Sequence, residues 1–136
     1  MRISILYPFP FPGMNEVISM AKVPMRGRKG GRKQNFYSVT KANLTHSCCQ
    51  IALAHFRENA LAYPIKVSVK LHFLWKITSN RDPDNVTAGE KFIIDGLVWA
   101  KILENDGAKQ IKGIYHDFRI VPRPQQDVTL SIILRR

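Results

Sequence analysis

The sequence has no hydrophobic run long enough to cross a membrane, and it contains little cysteine. The only cysteines among its 136 residues are the adjacent Cys48 and Cys49. Adjacent cysteines cannot supply the spaced ligands of a zinc site or a disulfide framework, so we expect buried, reduced thiols. No apolar segment approaches the roughly 20 residues of a membrane span, and the N-terminus lacks a signal-peptide pattern. These absences predict a soluble, intracellular protein.

Acidic residues are also scarce. The chain has 21 Lys and Arg against 10 Asp and Glu, a formal net charge of +11. This excess favours a polyanionic partner, with nucleic acid the leading candidate. An anionic membrane surface or a ribosomal role would give the same charge. A basic loop around residues 22–35 contains Arg26, Arg28, Lys29, Arg32 and Lys33. We expect these side chains to contact DNA phosphates, the alternative being a solvated loop.

The order of periodic segments predicts one α+β (α/β-like) domain covering residues 1–136. Alternating apolar residues predict strands, at 2–7, 65–77, 111–121 and 128–134. Helical spacing and capping signals predict two main helices, at about 38–61, starting from Ser38, and 85–103. Between the first strand and the first helix, from Met14 to Asn35, periodicity is weak and we expect a loop. The combined prediction is a mixed sheet of about four strands with two packed helices.

The segment Arg81-Asp82-Pro83-Asp84-Asn85 lies between the best predicted strand and the second helix. Two carboxylates one residue apart can converge on one cation, and their oxygens suit Mg²⁺ or Mn²⁺. Arg81 or a hydrogen-bond donor offers another way to compensate the two charges. The alternative is that Asp82 and Asp84 form a turn and cap the next helix.

Within a continuous helix, Asp84, Ala88, Lys91 and Asp95 would fall on one stripe, opposite a small apolar face. The pair Lys91–Asp95 also fits a simple surface salt bridge. A helix of about 19 residues is about 28 Å long, which separates Asp106 from Asp84. Asp106 would therefore have to serve a neighbouring segment, curl back, or act across a dimer.

The run RDPDNVTAGEKFIIDGLVWAKILENDG resembles the signature region of RusA-like Holliday junction resolvases. In that region an Arg-Asp-x-Asp-Asn start is followed by a Lys, an Asp-x-Leu and a terminal acidic pair. A weaker resemblance extends to Asn15-Glu16 and the closing strands, and phage and prophage proteins of Gram-positive bacteria look similar. The resemblance implies a RusA-like fold and a homodimeric, Mg²⁺-dependent endodeoxyribonuclease, with Mn²⁺ as a substitute, acting on branched DNA in the host cytoplasm.

The resemblance also implies roles for individual residues. Asp82, Asp84 and Asp106 would be catalytic metal ligands, Asp95 an accessory acidic ligand, and Lys91 a base-like or phosphate-contacting catalytic group. We expect DNA contacts from further residues, namely Asn15, Lys41 and Arg81. In the better-known branch of the family the Lys follows the second Asp by four residues, whereas here the spacing is seven. Asn105 also replaces one member of the terminal acidic pair.

Two competing hypotheses remain at this point. A non-enzymatic, basic DNA- or RNA-binding protein would use these aspartates only as turns and caps, and its binding would not require a metal. A metal enzyme acting on small phosphorylated molecules would not need so basic a surface. The four histidines show no metal-ligand spacing, and no segment resembles a groove-reading helix or a zinc module.

Overall fold

A four-stranded mixed sheet with helices packed on it forms the domain. The computed structural model describes residues 1–22, 24–25 and 34–135. The strands there are β1 (Arg2–Tyr7), β2 (Pro24–Met25), β3 (Gln34–Asn35), β4 (Val69–Ile77), β5 (Ile111–Ile120) and β6 (Asp127–Leu134). The helices are α1 (Met14–Ala21), α2 (Phe36–Glu58), α3 (Pro83–Val86) and α4 (Glu90–Trp99), with 3-10 turns at Thr87–Gly89 and Arg123–Gln125. The predicted α+β class is confirmed.

The main sheet has the strand order β1-β6-β4-β5. Neighbouring strands are antiparallel except for β4 and β5, which are parallel. A parallel pair needs a long crossover connection, and residues 78–110, which include α3 and α4, provide it. The acidic residues of the candidate site and Lys91 all lie on this crossover, so the topology of the sheet determines where they can meet.

Alternating side chains place the core on one face of the sheet. Every second residue of β4 is buried, from Val69 to Ile77. Phe73 and Trp75 are both buried there and stack with ring centroids 5.5 Å apart. The strand starts four residues after its predicted start. Ile65 lies outside it because its backbone N–H donates to the carbonyl of Ile102, in the loop after α4, at 2.8 Å.

The helices α2 and α4 pack closely against each other. A Cβ atom at Gly96 of α4 would lie 2.8 Å from Cβ of Cys48 in α2, so only glycine allows this approach. Cys48 and Cys49 are buried free thiols, as predicted. The helix α2 begins two residues before the predicted Ser38. No helix in the described part of the chain is long and apolar enough to cross a membrane.

The predicted second helix, 85–103, is divided in the structure. It consists of α3, a 3-10 turn at Thr87–Gly89 and the ten-residue α4. Gly89 packs against Phe11, whose Cβ would lie 2.6 Å from a Cβ at Gly89. Laid end to end, the three segments from Pro83 to Trp99 span about 27 Å. The prediction of one uninterrupted α-helix was therefore wrong in its middle, which is a 3-10 turn, and at its end, because α4 ends at Trp99. Asp106 reaches Lys91 by curling back after α4.

The prediction of a loop from Met14 to Asn35 was wrong for its first part, which forms α1. The backbone N–H of Asn15 donates to Oδ1 of Asn85 at 2.8 Å, and the N–H of Gly13 donates to Oε1 of Glu16 at 3.4 Å. The short strands β2 and β3 pair further along this segment. The start of α1 is thus stabilised by a residue 70 positions away in the sequence. Because this support is not local, the pattern of apolar residues within 14–21 does not predict the helix.

Candidate active site

Asp82 and Asp84 lie at the start of α3, directly after the turn that follows β4. Asp82 is the N-cap residue and Pro83 follows at the first helical position. The carbonyl of Asp82 accepts the N–H of Val86 at 3.0 Å, but the side chain makes no capping bond. Among the described residues neither carboxylate has a hydrogen bond or an ion pair. The turn-and-cap alternative therefore accounts for the backbone here, but not for the two exposed carboxylates.

A second charged group lies on α4 and the loop that follows it. Nζ of Lys91 is 3.1 Å from Oδ1 of Asp95, one helical turn away, and 3.9 Å from Oδ2 of Asp106. The other oxygen of Asp95, Oδ2, is 3.7 Å from Nζ of Lys41 on α2. Lys41, Asp95, Lys91 and Asp106 thus form a chain of alternating charge, which we call the lysine–aspartate chain. The loop after α4 therefore brings Asp106 back to α4 within a single chain.

The carboxylates around Lys91 alter its acid–base behaviour. Its hydrogen bond with Asp95 raises the pKa of Lys91, partial burial opposes this effect, and the negative charges of Asp95 and Asp106 add to the rise. An ammonium group stabilised in this way stays protonated at neutral pH. Of the two roles expected for Lys91, the structure favours contact with an anion over action as a base.

The structure joins some of the predicted ligands and leaves others apart. Asp95 and Asp106 meet through Lys91, while Asp82 and Asp84 lie at the start of α3. Nowhere in the described part of the chain do three His, Cys, Asp or Glu side chains lie close enough together to hold one metal ion. A protein cage for a metal is therefore not formed by these residues alone.

A comparison of the sequence with models of known protein families finds no match. A comparison with curated proteins finds no relative either. The resemblance to RusA-like resolvases remains a hypothesis based on the motif.

Two of the predicted DNA-binding residues take part in internal contacts. The guanidinium of Arg81 donates to the carbonyl of Phe11 at 2.8 Å and lies 3.8 Å from Oε1 of Glu16. Arg81 thus holds the start of α1 beside the end of β4 and compensates Glu16 rather than Asp82 or Asp84. Lys41 belongs to the lysine–aspartate chain and keeps a partly exposed ammonium. Asn15 has an exposed side chain next to the same start of α1.

The remaining predicted DNA contacts come from the basic loop around residues 22–35. Its members Arg26, Arg28, Lys29, Arg32 and Lys33 lie outside the described residues. Their contribution to the charge of the chain follows from the sequence alone.

Gln110 supports the site, and the sequence analysis did not identify it. Its Nε2 donates to the carbonyl of Ile65 at 2.7 Å. Its Oε1 accepts the backbone N–H groups of Glu104 and Asn105 at 2.8 Å and 3.2 Å. One buried side chain thus fixes the loop that presents Asp106. A lone glutamine before an apolar strand gives no local signal of this role.

The donor chemistry of Asp82 and Asp84 fits Mg²⁺. Both offer hard carboxylate oxygens that are exposed and, among the described residues, free of a basic partner. Mg²⁺ usually keeps several waters and is bound by one or two carboxylates together with substrate phosphates. Two exposed carboxylates on a strongly basic chain match that mode of binding. They do not match a site in which the protein supplies every ligand.

Proposed function

We propose that the protein is a Mg²⁺-dependent, structure-selective endodeoxyribonuclease that resolves Holliday junctions and related branched DNA by paired, symmetric nicks, in recombination and repair. The observation that carries the proposal is the pair Asp82 and Asp84. A helix-capping role would engage these carboxylates with backbone N–H groups, whereas the side chain of Asp82 makes no such bond. Two exposed carboxylates one residue apart, with no partner among the described residues, are free to bind one cation together.

The overall charge supports DNA as the substrate. A net charge of +11 on 136 residues attracts a polyanion strongly, and phosphate contacts supply most of the affinity for DNA. A small phosphorylated substrate would not require that excess. The motif resembling RusA-like resolvases supports branched DNA as the form that is cut.

Each part of the site has a role in hydrolysis of a phosphodiester. Mg²⁺ bound by Asp82 and Asp84 would supply Lewis-acid stabilisation of the phosphate and an activated water, with Mn²⁺ as a substitute. Lys91 stays protonated and offers its ammonium to a phosphate oxygen of the scissile strand. Asp95 and Asp106 orient that ammonium. Gln110 keeps the loop with Asp106 in place.

We further propose that the enzyme acts as a homodimer in the cytoplasm of a bacterial host, as a phage- or prophage-encoded protein. Two symmetric nicks in a four-way junction need two sites related by a two-fold axis, which a C₂ dimer provides. The resemblance supports this assembly.

The test is cleavage of a labelled synthetic four-way junction and of a matched linear duplex, each with Mg²⁺ or with EDTA. We expect paired nicks in the junction only, and only with Mg²⁺. Asp84→Asn should lower the rate by about 100-fold or more, because an essential charge at the reacting phosphate is lost. Lys91→Ala should do the same, while Lys91→Arg should retain part of the activity.

The matched control is Asp117→Asn, which makes the same chemical change at an exposed position on β5, away from the site. It should cleave like the wild type. Tight binding without nicks under any divalent metal would reject the proposal in favour of a non-enzymatic nucleic-acid-binding protein. Equal rates for Asp84→Asn and Asp117→Asn would also reject it.

A further inference from the structure

A groove of about 540 Å³ lies between the first turns of α2 and the end of α4. Tyr37, Lys41 and Thr45 line it from α2, and Asp95 and Trp99 from α4. Asp95 belongs both to this groove and to the lysine–aspartate chain, so the groove borders the candidate active site. Its volume falls in the range of sites that bind small ligands, about 300–1,000 Å³.

Trp99 is 62% exposed at the rim of this groove, whereas Trp75 is buried in the core. A ring this exposed is available to a partner, and covering it removes apolar surface from water. Exposed aromatic rings next to basic side chains are the usual platform on which unpaired bases stack, since every base has a flat π face. Trp99 beside Lys41 provides both components.

Charge decides which occupant fits the groove. A second copy would bring another chain of net charge +11 against this one, and the two chains would repel each other. A nucleotide brings a negative phosphate, which the positive charge of the chain and the partly exposed ammonium of Lys41 attract, and a base, which Trp99 can cover. The polyanion is the complementary partner.

We propose that this groove binds one unpaired nucleotide of the branched DNA, with its base stacked on Trp99 and its phosphate beside Lys41. The inference rests on the proposed function, because it makes the groove the element that recognises an unstacked base at the branch point. Binding there would hold the neighbouring phosphodiester next to the lysine–aspartate chain.

The test measures binding in EDTA, so that it does not depend on cleavage. Fluorescence anisotropy gives the affinity for a labelled oligo-dT single strand, a four-way junction and a linear duplex. We expect Trp99→Leu to weaken single-strand binding by about tenfold, the size typical of one base stacked on an aromatic ring. Trp99→Phe should stay within about threefold of the wild type, because the smaller ring still stacks. Duplex binding should change by less than about twofold, because its bases are already stacked.

The control is Tyr115→Leu, which removes an aromatic ring that is 51% exposed on the distant strand β5. It should leave single-strand binding unchanged. The proposal is overturned if Trp99→Leu has no effect, or if it weakens duplex and single strand equally. It is also overturned if sedimentation shows that Trp99→Leu converts a dimer to a monomer, since a second copy would then occupy the groove. If the wild type binds single strands through Trp99 but never cuts DNA, the proposed nuclease function is rejected and the proposed nucleotide-binding groove is retained.

Discussion

Replacing Gln110 by methionine tests whether one buried amide holds the loop that carries Asp106. Methionine has nearly the same length and shape but no strong hydrogen-bonding group. The variant removes the bond to the carbonyl of Ile65 (2.7 Å) and those from the N–H groups of Glu104 (2.8 Å) and Asn105 (3.2 Å). It also removes the longer bond to the carbonyl of Val67 at 3.5 Å, so four backbone groups lose a partner at once.

The expected cost follows from the burial of these groups. A buried polar group left without a partner costs about 1–3 kcal/mol. Ile65 is buried, so its carbonyl should carry the full cost. Glu104 and Asn105 are exposed residues, so water can partly replace the lost acceptor. We therefore expect Gln110→Met to lower the free energy of unfolding by about 2–4 kcal/mol, which corresponds to a fall of roughly 10 °C in Tm.

Urea denaturation followed by circular dichroism measures this free energy, and hydrogen exchange reports the amides of Glu104 and Asn105 directly. The control is Gln50→Met on the exposed side of α2, which should stay within about 0.5 kcal/mol of the wild type. If Gln110→Met is as stable as Gln50→Met, or if the two amides keep their protection, Gln110 does not support the loop as described.

Two further predictions concern the contact between α2 and α4. Gly96→Ala should lower the free energy of unfolding by about 1–2 kcal/mol, because overpacking against Cys48 outweighs the better helix propensity of alanine. The control is Gly107→Ala, whose Cβ would meet only an Asn105 oxygen at 3.3 Å. Equal denaturation midpoints for the two variants would contradict the close packing of α2 and α4. Burial raises the pKa of the Cys48 thiol to about 12, so at pH 9 only about one thiol in a thousand is ionised. Cys48 in the native protein should therefore resist alkylation by iodoacetamide. Because the thiol ionises at a lower pH in the unfolded chain, the free energy of unfolding should fall from about pH 9 to 12. Rapid alkylation of native Cys48 at pH 9 would refute this.

The strands of the main sheet were predictable because their signal is local, whereas the short β2 and β3 were missed. In β4 the alternation of apolar and polar residues matches the two faces of the sheet directly, and the same holds for β1 and β6. The start of α2 was also predicted to within two residues. The order of these elements was sufficient to predict a mixed sheet crossed by helices.

The site was only partly predictable because its geometry depends on distant contacts. The motif identified Asp82 and Asp84, but the 3-10 turn after α3 lies where Gly89 packs against Phe11, which is 78 positions earlier in the chain. The return of Asp106 to Lys91 depends on the end of α4 at Trp99 and on Gln110. The helical spacing of apolar residues extends across the 3-10 turn and past Trp99, so it predicted a single helix that was too long.

The 3-10 turn at Thr87–Gly89 bears on the spacing of the motif. It contains three residues, the same number by which the separation of Asp84 and Lys91 exceeds that of the better-known branch. A 3-10 helix has about three residues per turn and rises about 6 Å over them, so inserting one turn advances the chain without rotating the residues after it. A chain can therefore gain or lose three residues here, and Lys91 keeps its angular position while it moves along the helix axis. Insertions of one or two residues at the same point would rotate Lys91 about the helix axis relative to Asp82 and Asp84.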